Sequence, residues 1–453
     1  MHVTGQGRLF LFLQGPHGPF FHALGRMLVA AGAQVRRVGF NRGDRVFWPD
    51  AASFIAHRGP AEDWPAHLDR LIRDLRVTDL VLYGDTRPVH AAAVAAARAA
   101  GLTLHVFEEG YLRPYWVTYE RSGANGHSRL MRLDLAEMAA ALSRSHADQP
   151  AAPTDWGDMR QHMFWGAIYH AFVFAGARAW PGFRAHRAIG LGTEARLHLL
   201  RLALQPWQLW QRARATRAIL RSGHPFHLVL LQLEHDASFR SHSPFRSMAE
   251  FLGLVLEAFA QGAPPHHHLV LKAHPLEDGR APLRAEVARL VARHGLEGRV
   301  HFVPGGRLSQ LLDHARSAVT VNSTAGQQAL WRGLPLRCCG AAVYARPGLV
   351  STQPLAAFFA RPQRPDCRAY RLFRRYLLET SQVVGGFYSR RGRRLLLRRV
   401  VDMMLSPDDP YDSLRRTTAE AGWCAGPDLP QGGAQHPQGP LARARQAATI
   451  PRM

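Results

Sequence analysis

The strongest chemical signal in the sequence is a pair of basic side chains, Lys272 and His274, at the end of a predicted apolar strand. Alternate residues of a strand point to the same side, so the two side chains can contact one ligand together. An ammonium and an imidazolium at a strand end could neutralise a phosphate as it leaves a nucleotide. Lys272 is the only lysine in the chain, which reflects either an arginine-biased codon usage or a site that requires an ammonium.

Small hydroxyl side chains mark a second strand end. Asn322, Ser323 and Thr324 follow an apolar strand and precede a predicted helix. The free backbone N–H groups and the dipole of a helix N-terminus attract anions. A plain helix N-cap would explain Ser323 or Thr324 equally well if these residues stood alone. With His274 on a neighbouring strand, the pattern favours a phosphate site.

Three carboxylates are candidates for catalysis. Glu108 and Glu109 follow a predicted strand and precede Gly110, and adjacent carboxylates can raise one another's pKa, which suits a general acid or base. A solvated acidic turn is the alternative. Asp236 lies in a polar stretch, residues 231–243, where the two halves of the chain should face each other. It could act as a nucleophile or an orienting base, or belong to a polar loop that links domains.

The elements that would position these residues alternate between strand and helix in two series. The first series has predicted strands at 8–13, 34–40, 79–83 and 102–107, and helices at 20–31, 64–75 and 88–100. The second has predicted strands at 227–232, 268–272, 300–303, 318–321 and 334–338, and helices at 245–261, 281–294, 324–332 and from 308. The fold class is therefore α/β, with two Rossmann-like domains that face a central cleft, where ligands bind at the carboxyl ends of strands.

Five segments follow from this pattern: a Rossmann-like domain at 1–150, a helical segment at 151–223, a second Rossmann-like domain at 224–365, helices at 366–425, and a Gly- and Pro-rich tail at 426–453. We expect the tail to be disordered. The helical segment has ten arginines against three acidic residues and is rich in tryptophan. It is either an interfacial surface or an insertion that packs on the first domain.

Charge and composition narrow the choice of partner. The formal charge of +23 requires an anionic partner, which could be nucleic acid, anionic lipid or a negatively charged substrate. No nucleic-acid-binding module is recognisable, and such a function would leave the second Rossmann-like half unexplained. The four cysteines lack CxxC spacing, so we expect neither a zinc site nor a disulfide framework.

Targeting signals are also missing from the sequence. The N-terminus lacks the pattern of a signal peptide. The longest run without a full charge near the middle, residues 163–177, is shorter than the ~20 residues of a spanning helix. We therefore expect a cytoplasmic protein that does not cross a membrane.

Six separated motifs then carry a resemblance to a known family. They are Gln14-Gly-Pro-His-Gly-Pro-Phe-Phe, Gly39-Phe-Asn-Arg-Gly-Asp-Arg-Val-Phe-Trp-Pro, Phe107-Glu-Glu-Gly-Tyr-Leu-Arg-Pro, Asn125-Gly-His-Ser, Lys272-Ala-His-Pro and Gly385-Gly-Phe-Tyr-Ser. Over roughly residues 8–400 the chain resembles capsular polysaccharide synthesis/export proteins of the KpsS/LipB type.

The resemblance implies a GT-B architecture and β-Kdo transferase activity. The acidic sugar Kdo would pass from CMP-Kdo to a phosphatidylglycerol-type lipid and begin the linker beneath a Gram-negative capsule. The partners would be the nucleotide-sugar donor, the anionic phospholipid acceptor and the capsule synthesis and export machinery, on the inner face of the inner membrane. We expect no cofactor and no metal, since cationic side chains and helix N-termini would hold the phosphate and the chain has no Asp-x-Asp motif.

The resemblance also assigns roles within the predicted cleft. Glu108 or Glu109 becomes the acid/base, and a retained β configuration requires a further nucleophile, for which Asp236 is the candidate. We assign the donor site, in the second Rossmann-like domain, to Gln232, Lys272, His274, Asn322, Ser323 and Thr324. We assign the acceptor side of the cleft to Gly15, His17, Asn41 and Arg113. The alternative is a non-catalytic capsule export or scaffold factor that binds lipid-linked glycan and has no nucleotide pocket.

Overall fold

Two β-sheets, one in each half of the chain, form the framework of the protein. The computed structural model describes residues 4–143, 145, 158–183, 207, 209–274, 277 and 282–420. The predicted disordered tail, 426–453, lies outside the described residues, as do parts of the predicted helical segment 151–223.

The N-terminal sheet has seven strands. They are β1 (Leu9–Phe12), β2 (Gln34–Gly39), β3 (Phe54–Ala56), β4 (Asp79–Tyr83), β5 (Thr103–Glu109), β6 (Trp116–Arg121) and β12 (Gln382–Val384). Their order is β12-β6-β5-β4-β1-β2-β3. The five strands from β5 to β3 are parallel, whereas β6 and β12 are antiparallel to their neighbours.

The C-terminal sheet has five strands, all parallel. They are β7 (Phe226–Leu230), β8 (His268–Lys272), β9 (Val300–Val303), β10 (Ser317–Thr320) and β11 (Leu336–Cys338). The order β11-β10-β7-β8-β9 repeats the winding of the parallel part of the N-terminal sheet. The prediction of two Rossmann-like domains is therefore confirmed, and each sheet has a switch point where ligands can bind beyond the strand ends.

The helices cover both sheets and continue past the second domain. They are α1 (Phe20–Ala30), α2 (Arg42–Val46), α3 (Trp64–Leu75), α4 (Pro88–Ala100), α5 (Leu135–Leu142), α6 (Asp158–Ala175), α7 (209–222), α8 (Ala237–His242), α9 (Met248–Gly262), α10 (Leu283–His294), α11 (Leu308–His314), α12 (Gly326–Trp331), α13 (Leu355–Ala360), α14 (Cys367–Thr380), α15 (Arg390–Leu405) and α16 (Pro410–Glu420). None of the helices in the described parts of the chain combines the length and the apolar character that crossing a membrane requires.

The central strand β1 shows how the sequence builds the core. Its residues are apolar without interruption, as expected for a parallel strand that is covered on both faces. Phe10 and Phe12 pack into one buried cluster, whereas Leu9 and Leu11 pack into another on the opposite face. This alternation follows from the two-residue period of a strand.

The chain returns to the N-terminal domain after it completes the second sheet. Strand β12 pairs with β6, and the carboxyl end of α15 is held by two arginines of the first domain. Arg8 Nη1 donates to the Met404 carbonyl over 3.0 Å, and Arg121 Nη2 donates to the Ser406 carbonyl over 2.7 Å. The segment 366–425, for which only helices were predicted, thus also contributes a strand to the first sheet.

Candidate active site between the two domains

The cleft between the domains contains a cavity of about 510 Å³. Its walls come from the β5–β6 loop of the N-terminal domain and from the carboxyl ends of β7 and β8 and the loop after β10. This volume lies in the ~300–1,000 Å³ range of small-molecule sites. Five predicted site residues line the cavity: Arg113, Lys272, His274, Ser323 and Thr324.

Hydrogen bonds across the cleft fix the two walls of this cavity relative to each other. Gln327 Nε2, in α12, donates to the Tyr111 carbonyl of the β5–β6 loop over 2.9 Å. Arg346 of the C-terminal domain donates from Nη2 to the Leu130 carbonyl over 2.9 Å and from Nη1 to the Leu133 carbonyl over 2.6 Å. The cavity is therefore held open by polar contacts on two sides of the domain boundary.

Lys272 is the last residue of β8 and is almost fully buried, with 6% of its surface exposed. Its register places it between Leu230 of β7 and Val303 of β9. Nζ donates to the Ala273 carbonyl at 3.4 Å, a long hydrogen bond that leaves most of its donor capacity unused. Burial, assisted by the positive charge of Arg212, lowers the pKa of Lys272 to about 8. An anion in the cavity would stabilise the ammonium form.

Ser323 and Thr324 form the turn between β10 and α12. The helix begins at Gly326, two residues later than predicted. Ser323 Oγ accepts a hydrogen bond from the Ala325 N–H over 3.2 Å, so this hydroxyl stabilises its own turn. The Thr324 hydroxyl has no hydrogen-bond partner among the residues that the structure describes. Thr324 is thus the hydroxyl of the pair that is available to a ligand.

Gln232 and Asn322, both predicted as donor contacts, are buried and bonded to each other. Gln232 Nε2 donates to Asn322 Oδ1 over 2.8 Å, and the Asn322 N–H donates to Gln232 Oε1 over 3.0 Å. Asn322 Nδ2 also donates to the Ser238 and His242 carbonyls. Neither amide lines the 510 Å³ cavity. The pair instead joins the end of β10 to α8, which positions the loop that carries Asp236.

Glu108 and Glu109 are the last two residues of β5. The strand thus ends two residues later than the predicted end at residue 107. Because successive strand residues point to opposite faces, the two carboxylates have different surroundings. Glu109 Oε1 accepts hydrogen bonds from the hydroxyls of Tyr83 and Tyr388, each over 3.1 Å. Within the described part of the chain, Glu108 Oε1 accepts a hydrogen bond only from the Glu109 N–H, over 3.0 Å. Burial raises the pKa of Glu108 to about 7.

Asp236 lies at the N-terminus of α8 and is exposed. Its carboxylate makes no N-cap hydrogen bond with the helix. Its negative charge acts on Glu108 in the opposite domain and contributes to the raised pKa of that carboxyl group, whereas the positive charge of Arg87 opposes this effect. Glu108 and Asp236, the two predicted catalytic carboxylates, are thus close enough for their charges to interact, but neither lines the 510 Å³ cavity.

Three polar residues near this pair were not assigned from the sequence. Asp85 follows β4 and is 3% exposed, and its Oδ2 accepts hydrogen bonds from the Ala124 N–H over 3.0 Å and from His127 Nδ1 over 3.1 Å. The His127 ring meets the ring of His242, in α8 of the other domain, edge to face at 4.9 Å. Asp85 follows a predicted strand and His127 belongs to the Asn125-Gly-His-Ser motif, so each residue could have been singled out. Their contact could not, because 42 residues separate them in the chain.

The remaining predicted acceptor residues lie within the N-terminal domain and do not line the 510 Å³ cavity. His17 stacks on Tyr169 of α6 at 4.4 Å, and Asn41 Nδ2 donates to the Tyr169 hydroxyl over 2.7 Å. Asn41 Oδ1 also accepts the Asp44 N–H and caps α2. Gly15 has the Phe21 ring so close that a Cβ would lie 2.6 Å from it. His17 and Asn41 thus hold the β1–α1 and β2–α2 loops against α6, whereas Gly15 packs against Phe21 of α1.

Comparison with known proteins identifies the family of the chain. The family model described as "Capsule polysaccharide biosynthesis protein" matches residues 78–388. The Escherichia coli capsule polysaccharide export protein KpsS is 31% identical over 390 residues, which are 85% of this chain and 98% of that protein. The capsule polysaccharide modification protein LipB of Neisseria meningitidis serogroup A is 33% identical over 389 residues, 84% of this chain and 91% of that protein.

Two solved structures are also similar to the chain. The β-Kdo 2,7 transferase of Thermosulfurimonas dismutans KpsC has a TM-score of 0.39 and 14% identity, and the match covers 87% of this chain and 99% of the other. Anabaena HepE in complex with UDP and glucose has a TM-score of 0.32 and 12% identity, with 92% and 100% coverage. On the family model and on the two relatives of similar length, the protein belongs to the capsule polysaccharide biosynthesis protein family.

Proposed function

We propose that the protein is a metal-independent, retaining β-Kdo transferase that moves Kdo from CMP-Kdo to a phosphatidylglycerol-type lipid and so initiates the capsule linker. The observation that carries the proposal is the convergence of Lys272, His274 and Thr324 in one interdomain cavity of nucleotide-sugar size. Family membership and the similarity to capsule modification and export proteins support the capsule context.

The donor would bind with its phosphate at the end of β8. Among the described residues, the buried ammonium of Lys272 has only the Ala273 carbonyl, at 3.4 Å, as an acceptor, and a phosphate oxygen would supply a stronger one. His274 would add a second cation and Thr324 a hydroxyl donor on the neighbouring loop. Arg113, from the opposite wall, could contact the carboxylate of the sugar. These groups would stabilise the charge that the nucleotide gains when it leaves.

Two carboxylates from different domains whose charges interact suit a double displacement. In the first step, the Asp236 carboxylate attacks the anomeric carbon, the bond from that carbon to the phosphate oxygen breaks, and CMP leaves with the bonding electrons. In the second step, the acceptor hydroxyl attacks the same carbon, Glu108 takes the hydroxyl proton, and Asp236 is released as a carboxylate. A base with a pKa of about 7 can both accept and release a proton near neutral pH.

We further propose that the protein is cytoplasmic and acts peripherally on the inner face of the inner membrane, together with the capsule synthesis and export machinery. Support comes from the charge of +23 and from large side chains that are exposed on α6 and at the start of α7. Phe164, Phe174, Trp207 and Trp210 each have at least half of their surface exposed. Aromatic and arginine side chains together favour an anionic interface.

A non-catalytic role is the second candidate, because the Escherichia coli relative is named an export protein. In that role the protein would bind lipid-linked glycan and would need no CMP site. The two functions differ in whether Lys272 and His274 contact a nucleotide.

The test is to incubate the purified full chain with CMP-Kdo and a phosphatidylglycerol analogue and to weigh the products by mass spectrometry. We expect the mass of one Kdo to be added to the lipid, and we expect His274→Ala to abolish the product while it leaves the fold intact. Arg70→Ala, an exposed change on α3, serves as the control. Glycan binding without CMP binding and without product would favour the export role.

A further inference from the structure

A second cavity, of about 190 Å³, lies inside the N-terminal domain. It opens at the carboxyl ends of β2 and β4, at the same edge of the sheet as Glu108. Phe40, Trp64, Val89 and Phe183 contribute apolar side chains to its wall. The volume is below the ~300–1,000 Å³ of a site that encloses a whole small molecule, so the cavity suits one part of a larger ligand.

The inner wall of this cavity is aromatic and rigid. Phe40 meets Trp64 edge to face at 4.8 Å, and Trp64 Nε1 donates to the Val89 carbonyl over 2.9 Å. The indole nitrogen is therefore satisfied within the protein, and the ring presents apolar surface. His57, 8% exposed, also lines the cavity, and its Nε2 has no hydrogen-bond partner among the described residues. This nitrogen is available to form a hydrogen bond with a ligand group in the cavity.

Arg87 lies at the rim of the same cavity. Its guanidinium packs over the Tyr83 ring at 5.3 Å and makes neither a hydrogen bond nor an ion pair with any residue that the structure describes. A half-buried guanidinium with five unused donors is suited to a phosphate or carboxylate. The positive charge of Arg87 acts to lower the pKa of Glu108, so the rim of the cavity lies near the proposed base.

We propose that this cavity and Arg87 together form the acceptor site for an anionic amphiphile: an aliphatic segment enters the cavity beside Trp64, and the anionic head group binds Arg87. The proposal rests on the proposed function, because it takes the acceptor to be an anionic lipid. A head group bound to Arg87 would lie at the same edge of the sheet as Glu108, since Arg87 follows β4 and Glu108 is near the end of the adjacent strand β5. The site is distinct from the 510 Å³ cavity, with which it shares no lining residue.

The first test fills the cavity. Val89→Phe adds atoms to the empty volume, whereas Ala91→Phe adds the same ring to the exposed face of the same helix. Affinity for monomeric dihexanoyl phosphatidylglycerol is measured by calorimetry on the full chain. We expect Val89→Phe to weaken this affinity at least tenfold and Ala91→Phe to leave it within about twofold. Wild-type affinity in Val89→Phe, or no binding of this lipid to the wild-type protein, overturns the proposal.

The second test addresses the head group. Arg87→Gln removes the rim cation, and Arg70→Gln removes an exposed arginine of the same domain as the control. We expect Arg87→Gln to lower the affinity for the lipid at least tenfold and to abolish the salt dependence of lipid binding. We expect Arg70→Gln to change neither the affinity nor its salt dependence. If Arg87→Gln binds the lipid with wild-type affinity, Arg87 does not contact the anionic head group.

CMP affinity separates this proposal from the proposed function. All four variants should bind CMP as the wild-type protein does, which also reports that they are folded. If the wild-type protein binds the lipid as expected but never consumes CMP-Kdo, the transferase function fails and the lipid site stands. If CMP-Kdo is consumed while Val89→Phe and Arg87→Gln keep the wild-type KM for the lipid, the lipid site fails and the transferase function stands.

Discussion

Glu108 and Asp236 belong to different domains, and the negative charge of Asp236 helps to raise the pKa of Glu108. The two domains that carry these carboxylates are joined by hydrogen bonds from Gln327 to the Tyr111 carbonyl and from Arg346 to the Leu130 and Leu133 carbonyls. A pair of carboxylates with different surroundings can divide the roles of base and nucleophile. The second carboxylate of the Glu108-Glu109 pair has a different position, because two tyrosines hold it.

This difference predicts that Glu108 and Glu109 respond differently to the same substitution. Glu108→Gln should lower turnover by about 10²–10⁴-fold, the usual contribution of a general base. Glu109→Gln retains an acceptor for Tyr83 and Tyr388 and should lower turnover by no more than about tenfold. Steady-state kinetics on both variants decide the assignment, and the opposite order of effects would transfer the role of the base to Glu109.

Glu108→Gln should also change stability in a pH-dependent way. The pKa of Glu108 is about 7 in the folded chain and higher than the ordinary value of 4.5, so the folded state holds this proton more tightly than the unfolded state does. This contribution to wild-type stability is lost as pH rises through about 7. The variant should therefore melt at a higher temperature than the wild type at pH 8, and this difference should shrink at pH 5. If the difference in melting temperature does not vary with pH, the pKa of Glu108 is not raised by burial.

The pH profile of kcat/KM should be bell-shaped. Glu108 must be deprotonated to act as the base, so activity should rise as pH increases through about 7. Lys272 must be protonated to hold the phosphate, so activity should fall as pH increases through about 8. The basic limb should disappear in any residual activity of Lys272→Arg, because a guanidinium stays charged. A basic limb that persists in that variant would exclude Lys272 as its origin.

Lys272→Arg should lower turnover at least about tenfold, equivalent to ~1.4 kcal/mol, although it preserves charge. The side chain is buried at the end of β8, and a broad planar guanidinium does not fit where a compact ammonium does. His274→Ala is the comparison, because its side chain lines the same cavity. Near wild-type kinetics for Lys272→Arg beside an inactive His274→Ala would mean that His274 alone supplies the essential cation.

Much of the scaffold could be predicted because its elements have strong local signals. The strands Asp79–Tyr83, His268–Lys272 and Val300–Val303 and the helices Trp64–Leu75 and Pro88–Ala100 have the bounds that the apolar pattern predicted. The helices end sharply, since Arg76 and Gly101 adopt the left-handed conformation after the last turn.

Strand β6 was missed because polar residues interrupt its apolar pattern. Glu120 is fully buried, and its carboxylate accepts hydrogen bonds from Ser128, Tyr111 and Tyr411. Tyr411 is almost 300 residues distant in the chain, so nothing local indicates that this carboxylate can be buried. The Asp85–His127–His242 cluster was missed because its members are distant in the chain and because His242 reaches His127 only when the two domains meet.

The Asp85 site predicts a contrast between two substitutions. Asp85→Asn can keep an oxygen where Oδ2 accepts both the Ala124 N–H and the His127 N–H, and its NH₂ would occupy the position of Oδ1, which has no partner among the described residues. Asp85→Ala leaves both donors without an acceptor, which should cost about 1–3 kcal/mol in the free energy of unfolding. Urea denaturation of the two variants measures this difference. Equal losses in both would mean that the carboxylate charge, and not its hydrogen bonds, stabilises the site.

The exposed aromatic side chains near α7 predict binding to anionic membranes. Trp207 and Trp210 stack on each other at 5.0 Å, and each has at least half of its surface exposed, which is unfavourable in water unless another surface covers them. Arg214 lies over the Trp210 ring at 5.3 Å and adds positive charge to the same patch. We expect the protein to sediment with liposomes that contain phosphatidylglycerol and to be released partly by salt, because screening weakens only the electrostatic part.

Two substitutions in this patch separate the apolar and the charged contributions to membrane binding. Trp207→Ala with Trp210→Ala should reduce sedimentation at every salt concentration, whereas Arg214→Gln should reduce it only at low salt. Trp331→Ala, an exposed tryptophan of the second domain, is the matched control for an aromatic deletion and should sediment as the wild type does. If the control falls as far as the double variant, the loss reflects general hydrophobicity, and the patch of Trp207, Trp210 and Arg214 is not the membrane contact.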